Sequence, residues 1–213
     1  MGKIYKTLIY DGQISLSVLD TTDIVGKAIE YHKLSPLSAA ALGRTLTVAA
    51  FMASGLKDEN EKLSITIDGK GVCGKIVVAA DGKLNVKGSV VNPDADLPLN
   101  AKGKLDVGGG VGKDGFITVV KNLGLKEPYV GKCRLVSGEI GEDFASYYAY
   151  SEQQPTAIAV GVLVKGEKCL GAGGVILQPL PDCSEEAIEK AEKLISDFSS
   201  VSKMIADGGA EGI

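Results

Sequence analysis

The chain has 213 residues, of which 45% are hydrophobic and 23% are charged, with a formal net charge of −4. Such values are ordinary for a globular protein and exclude a disordered chain. The acidic balance disfavours phosphate backbones and anionic lipids, so we expect neither a nucleic-acid nor a membrane partner. The N-terminus lacks the apolar region of a signal peptide and the four cysteines lack paired spacing. We therefore expect a cytoplasmic protein with free thiols.

The N-terminal quarter of the chain predicts two strands followed by two helices. Apolar and polar residues alternate on both sides of Asp11-Gly12, which is typical of a hairpin. A helical period begins near Thr22, and Ser35-Pro36 predicts a capped second helix that ends at Gly55. This second segment is apolar enough to be tested as a membrane span. Because Arg44 lies near its middle and would be costly in lipid, we interpret it as a buried core helix.

The remainder of the chain is rich in strands and ends in a helix. Strands are predicted at residues 63–68, 75–80, 84–91, 116–120, 129–136, 157–164 and 171–178, with a helix at 142–150. Pro179-Leu180-Pro181 breaks this pattern, and Asp182 or Ser184 then caps a further helix. The predicted fold class is α+β, with twisted, mostly antiparallel sheets packed with buried helices. We expect a body at residues 1–178 and a helical linker at 179–213.

Two glycine-rich segments resemble phosphate-binding loops in their spacing. Gly69-Lys70-Gly71-Val72-Cys73-Gly74 has the spacing of a dinucleotide loop, but a strand follows it where that loop needs a helix. Gly108–Gly112 is followed by Lys113 and then Asp114, where a phosphate loop needs Ser or Thr. We interpret the first segment as a tight hairpin and the second as a turn.

Catalytic residues were sought among the acids and at His32, the only histidine. Glu139, Glu142 and Asp143 could form a catalytic carboxylate pair, or they could be the N-terminal acids of the helix that starts near Glu142. We favour the second interpretation and expect His32 to be a satisfied, partly buried side chain. The sequence contains no complete catalytic set, so we predict no catalytic, cofactor-binding or metal-binding residue and no enzyme.

Five segments of the chain, taken in order, resemble one known family. They are GKIVVAAD at residues 74–81, VNPDADLPL at 91–99, GKDGFITVVK at 112–121, LVSGEIGEDF at 135–144 and SEQQP at 151–155. In sequence and spacing they are similar to the redox-regulated heat-shock chaperone family, the 33-kilodalton heat-shock proteins. This resemblance implies a holdase that binds unfolding client proteins without ATP under heat or oxidative stress. It also suggests a homodimer. An oligomerising scaffold whose exposed linker helix swaps between protomers is compatible with such a holdase.

The resemblance further implies a C-terminal zinc module with C-x-C and C-x-x-C spacings, which form disulfides under oxidants. Neither spacing occurs up to Ile213. We therefore expect zinc to belong to a segment that this chain lacks, and we assign no metal or redox role to its cysteines, which are Cys73, Cys133, Cys169 and Cys183.

The linker carries an apolar stripe at helical spacing. Its members are Ile188, Leu194, Ile195, Phe198 and Val201. An exposed stripe of this size would be adhesive, so we expect it to cover an apolar surface of the body. We hypothesise that the linker helix and the client compete for that surface. A helix permanently docked as part of the core, a small-molecule enzyme using the acids near Glu139, and a purely oligomerising scaffold remain the alternatives.

Overall fold

The computed structural model describes residues 2–198 and 200–213, which contain nine strands and six α-helices. The strands are Lys3–Ile9 (β1), Ile14–Asp20 (β2), Lys62–Asp68 (β3), Ile76–Asp81 (β4), Val86–Val90 (β5), Phe116–Asn122 (β6), Tyr129–Arg134 (β7), Ala157–Lys165 (β8) and Lys168–Pro179 (β9). The helices are Thr22–His32 (α1), Pro36–Ala53 (α2), Val107–Val111 (α3), Gly141–Tyr147 (α4), Glu185–Asp197 (α5) and Val201–Gly208 (α6). A π-helical turn follows α4, and a 3-10 turn follows α6. Every strand predicted from the sequence is present, with bounds that differ by up to three residues.

The strands form two antiparallel sheets, which confirms the predicted α+β fold class. The four-stranded sheet has the order β1-β2-β9-β8, and the five-stranded sheet has the order β5-β4-β3-β6-β7. In the four-stranded sheet Val18 pairs with Val175, which in turn pairs with Ala159. Directly paired residues point to the same face, so this register determines which side chains share a surface.

Helix α2 packs against both sheets and forms the centre of the core. The Ser35 hydroxyl accepts a hydrogen bond from Ser38 N, and Pro36 occupies the first helical position. The Arg44 guanidinium pairs with Glu139 Oε2 at 2.6 Å. Although α2 is long and apolar enough to cross a membrane, 83% of that stretch is buried inside the protein, as predicted for a core helix.

The two glycine-rich segments pack against each other, which differs from both predictions. Gly71 N donates to Val111 O, and Cys73 N donates to Gly110 O. The β3–β4 connection therefore needs seven residues, from 69 to 75, and the predicted tight hairpin is wrong. The predicted turn at Gly108–Gly112 is also wrong, because its first residues form α3, whose start is capped by the Asp106 carboxylate. A Cβ at Gly71 would overlap the facing backbone, so these glycines permit the close approach.

Candidate functional site

The four-stranded sheet is covered by helices on both faces. Helices α1 and α2 pack on its inner face, whereas α5 and α6 lie on the opposite face, which we call the outer face. The two-residue period of strands and the register bring five large apolar residues together there. They are Ile14, Leu16 and Val18 of β2, and Val175 and Leu177 of β9. Four of them are at most 6% exposed, and Leu16 is partly buried, so the outer face forms a second apolar core.

Helices α5 and α6 cover this face with two small clusters of side chains. Ala187 and Ala191 of α5 pack with Ile14 and Leu177. The second cluster contains the larger side chains and lies over the middle of the sheet. Its members are Phe198, Val201, Ile205 and Ala210, which pack on Val18 and Val175. Both helices therefore contact the body through apolar surface.

Three glycines of β8 and β9 let α6 approach the sheet closely. We call Gly161, Gly171 and Gly173 the glycine trough; Gly161 and Gly173 are directly paired across the two strands. A Cβ at Gly161 would lie 3.0 Å from Ser202 Oγ, and a Cβ at Gly171 would overlap Ser202 O. Any side chain at Gly171 would therefore displace the helix, and the trough sets the position of α6.

The polar attachments of this helical pair lie at the rim. Gln13 O accepts from Leu180 N at 2.9 Å, and Gln13 Oε1 accepts from Ser184 N at 2.8 Å. At the other end the Tyr5 hydroxyl donates to Glu211 Oε1 at 2.7 Å. This bond, together with Lys3, lowers the pKa of Glu211. These attachments are few and exposed, so apolar burial supplies most of the docking free energy.

The five residues of the predicted stripe do not share one environment. Phe198 and Val201 are buried against the outer face, and Leu194 and Ile195 are partly buried there. Ile188 is 37% exposed and faces solvent.

The stripe also spans two helices, since α5 ends at Asp197 and α6 begins at Val201, so the prediction of one continuous helix is wrong. Asp197 and Ser200 are weak helix formers, which favours a break at this point. The tail that follows α6 is likewise docked, through Glu211, although its glycines gave no sign of this.

The sequence does not identify the outer face as the surface on which the stripe packs. Ile205, the glycine trough and the outer-face residues are all part of the site, and none was singled out. One signal was available: residues 171–177 of β9 are almost uniformly small or apolar, which is typical of a strand covered on both faces. The sequence does not indicate which segment of the chain packs on the second face of β9.

The acidic cluster serves the local structure. The Asp143 carboxylate is fully buried and accepts from the backbone N–H groups of Val136, Ser137, Gly138 and Ile140. Glu139 accepts from Arg44 and from Gly108 N. Glu142 is exposed in the first turn of α4. The interpretation of these acids as N-terminal helix acids therefore describes Glu142 and Asp143, whereas Glu139 links α2 to α3.

His32 is exposed, so its predicted partial burial is wrong. It lies in the last turn of α1, next to the left-handed Lys33 that ends the helix, and its Nε2 is 3.0 Å from Gly88 O. The ring thus has a hydrogen-bond partner, as predicted, but it is a backbone carbonyl at the surface. No side chain at this point forms a catalytic pair with His32 among the residues described.

The residues of this chain do not fit the zinc site that the family resemblance implies. Throughout residues 2–198 and 200–213, no three side chains of His, Cys, Asp or Glu converge on a point where a metal ion could be held. The four cysteines are free thiols in separate places. Burial raises the pKa of Cys73, and raises that of Cys169 to about 11, so both remain protonated at neutral pH.

Comparison with known proteins agrees with this architecture. Residues 2–213 match the Hsp33 protein family. The chain is 50% identical over 188 residues to the 33 kDa chaperonin of Ruminiclostridium cellulolyticum, which covers 88% of this chain and 64% of that protein. It is 47% identical over 206 residues to the 33 kDa chaperonin of Thermoanaerobacter sp., covering 96% of this chain and 70% of that protein.

A solved structure has the same fold. The crystal structure of the 33 kDa chaperonin (heat shock protein 33 homologue) of Thermotoga maritima superposes with a TM-score of 0.87 at 40% identity. The match covers 94% of this chain and 69% of that one. The α+β fold of this chain is thus that of a solved 33 kDa chaperonin structure.

The chain belongs to the Hsp33 family. It spans 64% of the length of the Ruminiclostridium protein and 70% of that of the Thermoanaerobacter protein. These relatives are named as chaperonins, a non-enzymatic role, which agrees with the prediction that the chain is not an enzyme.

Proposed function

We propose that this chain is a holdase chaperone that binds unfolding proteins without ATP. In this proposal the client occupies the outer face of the four-stranded sheet after α5 and α6 have left it. The observation that carries the proposal is an apolar outer face covered by a helical pair that few polar bonds attach to the body. Membership of the Hsp33 family supports a chaperone role.

The chemistry of the outer face suits many different clients. Burial of apolar surface is non-directional, so it requires no particular client sequence. Detachment of the helices would expose a contiguous row of Ile, Leu and Val side chains, a surface of the kind that adheres to other apolar chains. Because the helices and the client use the same surface, each excludes the other. Ile188 lies outside this competition, since it already faces solvent.

The proposal includes the partners and the setting expected from the family. The clients are unfolded or partly folded proteins that accumulate in the cytoplasm under heat or oxidative stress. We also propose a homodimer in which α5 and α6 swap between protomers, because such a swap would cover each outer face equally well. Redox control by zinc is assigned to cysteines outside these 213 residues, and the four cysteines present play no part in it.

A disulfide across the glycine trough tests whether detachment is required. An ideal Cβ at Gly161 lies 3.1 Å from Ser202 Cβ, slightly closer than the roughly 3.8 Å of natural disulfides. The pair Gly161→Cys and Ser202→Cys is introduced after the four native cysteines have been replaced by alanine. Light scattering of a thermally unfolding client, without ATP, then compares the oxidised and the reduced protein.

We expect the reduced variant to suppress aggregation and the oxidised variant to lose this activity, because the locked α6 keeps the outer face covered. The matched control carries Gly161→Cys alone and should respond to neither oxidant nor reductant. Equal suppression by the locked and the unlocked protein would reject the outer face as the client site. Failure of the parent protein to suppress aggregation under any redox condition would reject the holdase function of this chain.

A further inference from the structure

A groove of about 520 Å³ lies between the two sheets, away from α5 and α6. One wall is formed by the beginning of β1 and by α1, and the opposite wall is formed by residues 84–88, which include most of β5. Leu46 and Ala50 of α2 form its floor. No residue of α5 or α6 lines the groove, so it is accessible while the outer face is covered.

Both strands that border the groove are edge strands. Within the residues described, β1 pairs only with β2, and β5 pairs only with β4. Gly88 O is turned away from β4 and accepts from His32 Nε2 of α1 at 3.0 Å, so an added strand has to displace the His32 ring from this oxygen. The backbone groups of alternate residues point to the same side of a strand, so the peptide groups of Val86 also face away from β4. An edge of this kind is a template for an added strand.

The lining of the groove combines apolar surface with positive charge. Ile4, Ile24 and Leu84 contribute apolar side chains, and Tyr31, which is 77% exposed, lies at the rim. The charged residues are Lys3, Lys27, Lys87 and Asp20; because Lys3 is paired with Glu211 at 3.3 Å, the positive charge available to a ligand is that of Lys27 and Lys87. The whole chain carries a net charge of −4, so a basic groove stands out against its acidic surroundings. Charge complementarity favours an acidic occupant.

We propose that this groove binds an extended client segment of alternating apolar and acidic residues, which adds to β5 as a further strand. The backbone of the segment pairs with the edge of β5, while its acidic side chains approach Lys27 and Lys87. The inference rests on the proposed chaperone function and adds a second site, which needs no detachment of α5 and α6. Clients could be captured in the groove first and transferred to the outer face afterwards.

The probe is a fluorescein-labelled synthetic peptide of alternating valine and glutamate, and binding is followed by fluorescence anisotropy with the full chain. A second peptide of the same sequence carries N-methyl groups on every other amide, which removes one hydrogen-bonding edge and keeps the side chains. We expect the first peptide to bind and the second to bind about tenfold more weakly or not at all. Equal binding of the two peptides would overturn strand addition.

Charge-reversal variants test whether the acidic peptide binds in the groove. The double variant Lys27→Glu and Lys87→Glu should weaken binding of the acidic peptide by about tenfold and favour a peptide of alternating valine and lysine. The control variant Lys165→Glu and Lys168→Glu makes the same change in net charge at the exposed β8–β9 hairpin and should leave binding unchanged. Equal effects of the two double variants would overturn the groove as the site.

The protein locked by the disulfide at Gly161 and Ser202 separates this inference from the proposed function. The locked protein should still bind the acidic peptide, although it no longer suppresses aggregation. No binding of the peptide to the unmodified chain would overturn the groove proposal alone, since suppression of aggregation is measured independently. Loss of peptide binding on locking would also overturn it, because it would assign the peptide to the outer face.

Discussion

The two sheets pack on the same central helix, but their outward faces differ in chemistry. The five-stranded sheet presents a mixed face outward, because Ser64, Thr66, Thr118 and Lys132 share it with Val77, Val120 and Val130, of which Val77 and Val130 are exposed. The four-stranded sheet presents five large apolar residues outward on β2 and β9, which are Ile14, Leu16, Val18, Val175 and Leu177, and α5 and α6 cover them. A polar sheet face is stable in water, whereas an apolar one needs a partner. The comparison indicates that the outward face of the four-stranded sheet needs a cover, which α5 and α6 supply.

The two outward faces also differ in how their apolar side chains are shielded from water. On the five-stranded sheet the ring of Phe116 remains 40% exposed, with the Lys132 ammonium 4.2 Å and the Arg134 guanidinium 5.7 Å from its centroid. On the four-stranded sheet the protection is a pair of helices joined to the body near Gln13. The proposed function requires this pair of helices to leave the sheet as a unit. The following predictions test whether the two faces differ in this way.

The largest effect is expected from a charge beneath the cover. Phe198→Asp buries a carboxylate in the apolar cluster around Val18 and Val175, and should weaken docking of the helices by about 3 kcal/mol. Client binding should rise accordingly, as measured by light scattering. The matched variant Ile188→Asp changes a solvent-facing residue of the same stripe and should leave docking and client binding unchanged.

The Phe198 variant distinguishes competition from permanent docking. If Phe198→Asp lowered the thermal stability of the whole protein and left client binding unchanged, the helices would be part of the core and no competition would exist.

A side chain in the glycine trough should have the next largest effect. Gly171→Ala places a Cβ against the backbone of α6, which should cost about 1–3 kcal/mol of docking free energy. The control Gly208→Ala adds a Cβ where no atom lies within 4 Å. Limited proteolysis of α6 measures the difference. Similar cleavage of the two variants would show that the trough does not set the position of the helix.

A smaller effect, on the free energy of unfolding, is expected when a valine on the outward face of each sheet is replaced by threonine in separate variants. Val175→Thr keeps the shape of a fully buried side chain but leaves a hydroxyl without a partner, at a cost of about 1–2 kcal/mol. Val120→Thr makes the same change on the open face of the five-stranded sheet and should cost less than about 0.5 kcal/mol. Urea denaturation measures both. Equal costs would mean that the two faces do not differ as described.

The smallest effect concerns the bond that holds the tail. The Tyr5 hydroxyl and Lys3 lower the pKa of Glu211, so this contact stabilises the docked tail above the ordinary carboxyl pKa and is lost as the pH falls through the lowered value. The protection factors of the tail amides, corrected for the slower intrinsic exchange at low pH, should therefore fall in acid. The variant Glu211→Gln should remove this pH dependence; a tail that responds to acid equally in the variant would contradict the assignment.

Local signals explain how much of the fold could be predicted. The alternation around Ile14 and Val18 predicts β2, and Ser35-Pro36 predicts the start of α2, because each depends on neighbouring residues alone. The stripe at Phe198 and Val201 predicts an amphipathic helix for the same reason. These elements, and the apolar character of the linker, could be predicted without a structure.

The remainder depends on contacts between residues distant in sequence. Nothing near Gly161 or Gly171 indicates that α6 lies across them, and nothing near Gly71 indicates that α3 faces it. The apolar period continues through the break before Val201, so the only local sign of that break is the weak helix propensity of Asp197 and Ser200. The outer face itself could not be located, because its residues come from β2 and β9, which are distant in the sequence, as in the pair of Val18 with Val175.

Hydrogen–deuterium exchange with and without a thermally unfolding client tests the central claim most directly. If client and cover compete for the outer face, the amides of α5 and α6 should lose protection when the client binds, while those of β2 and β9 retain it. Continued protection of both helices in a chain that holds a client would contradict the account, since the outer face would then still be covered.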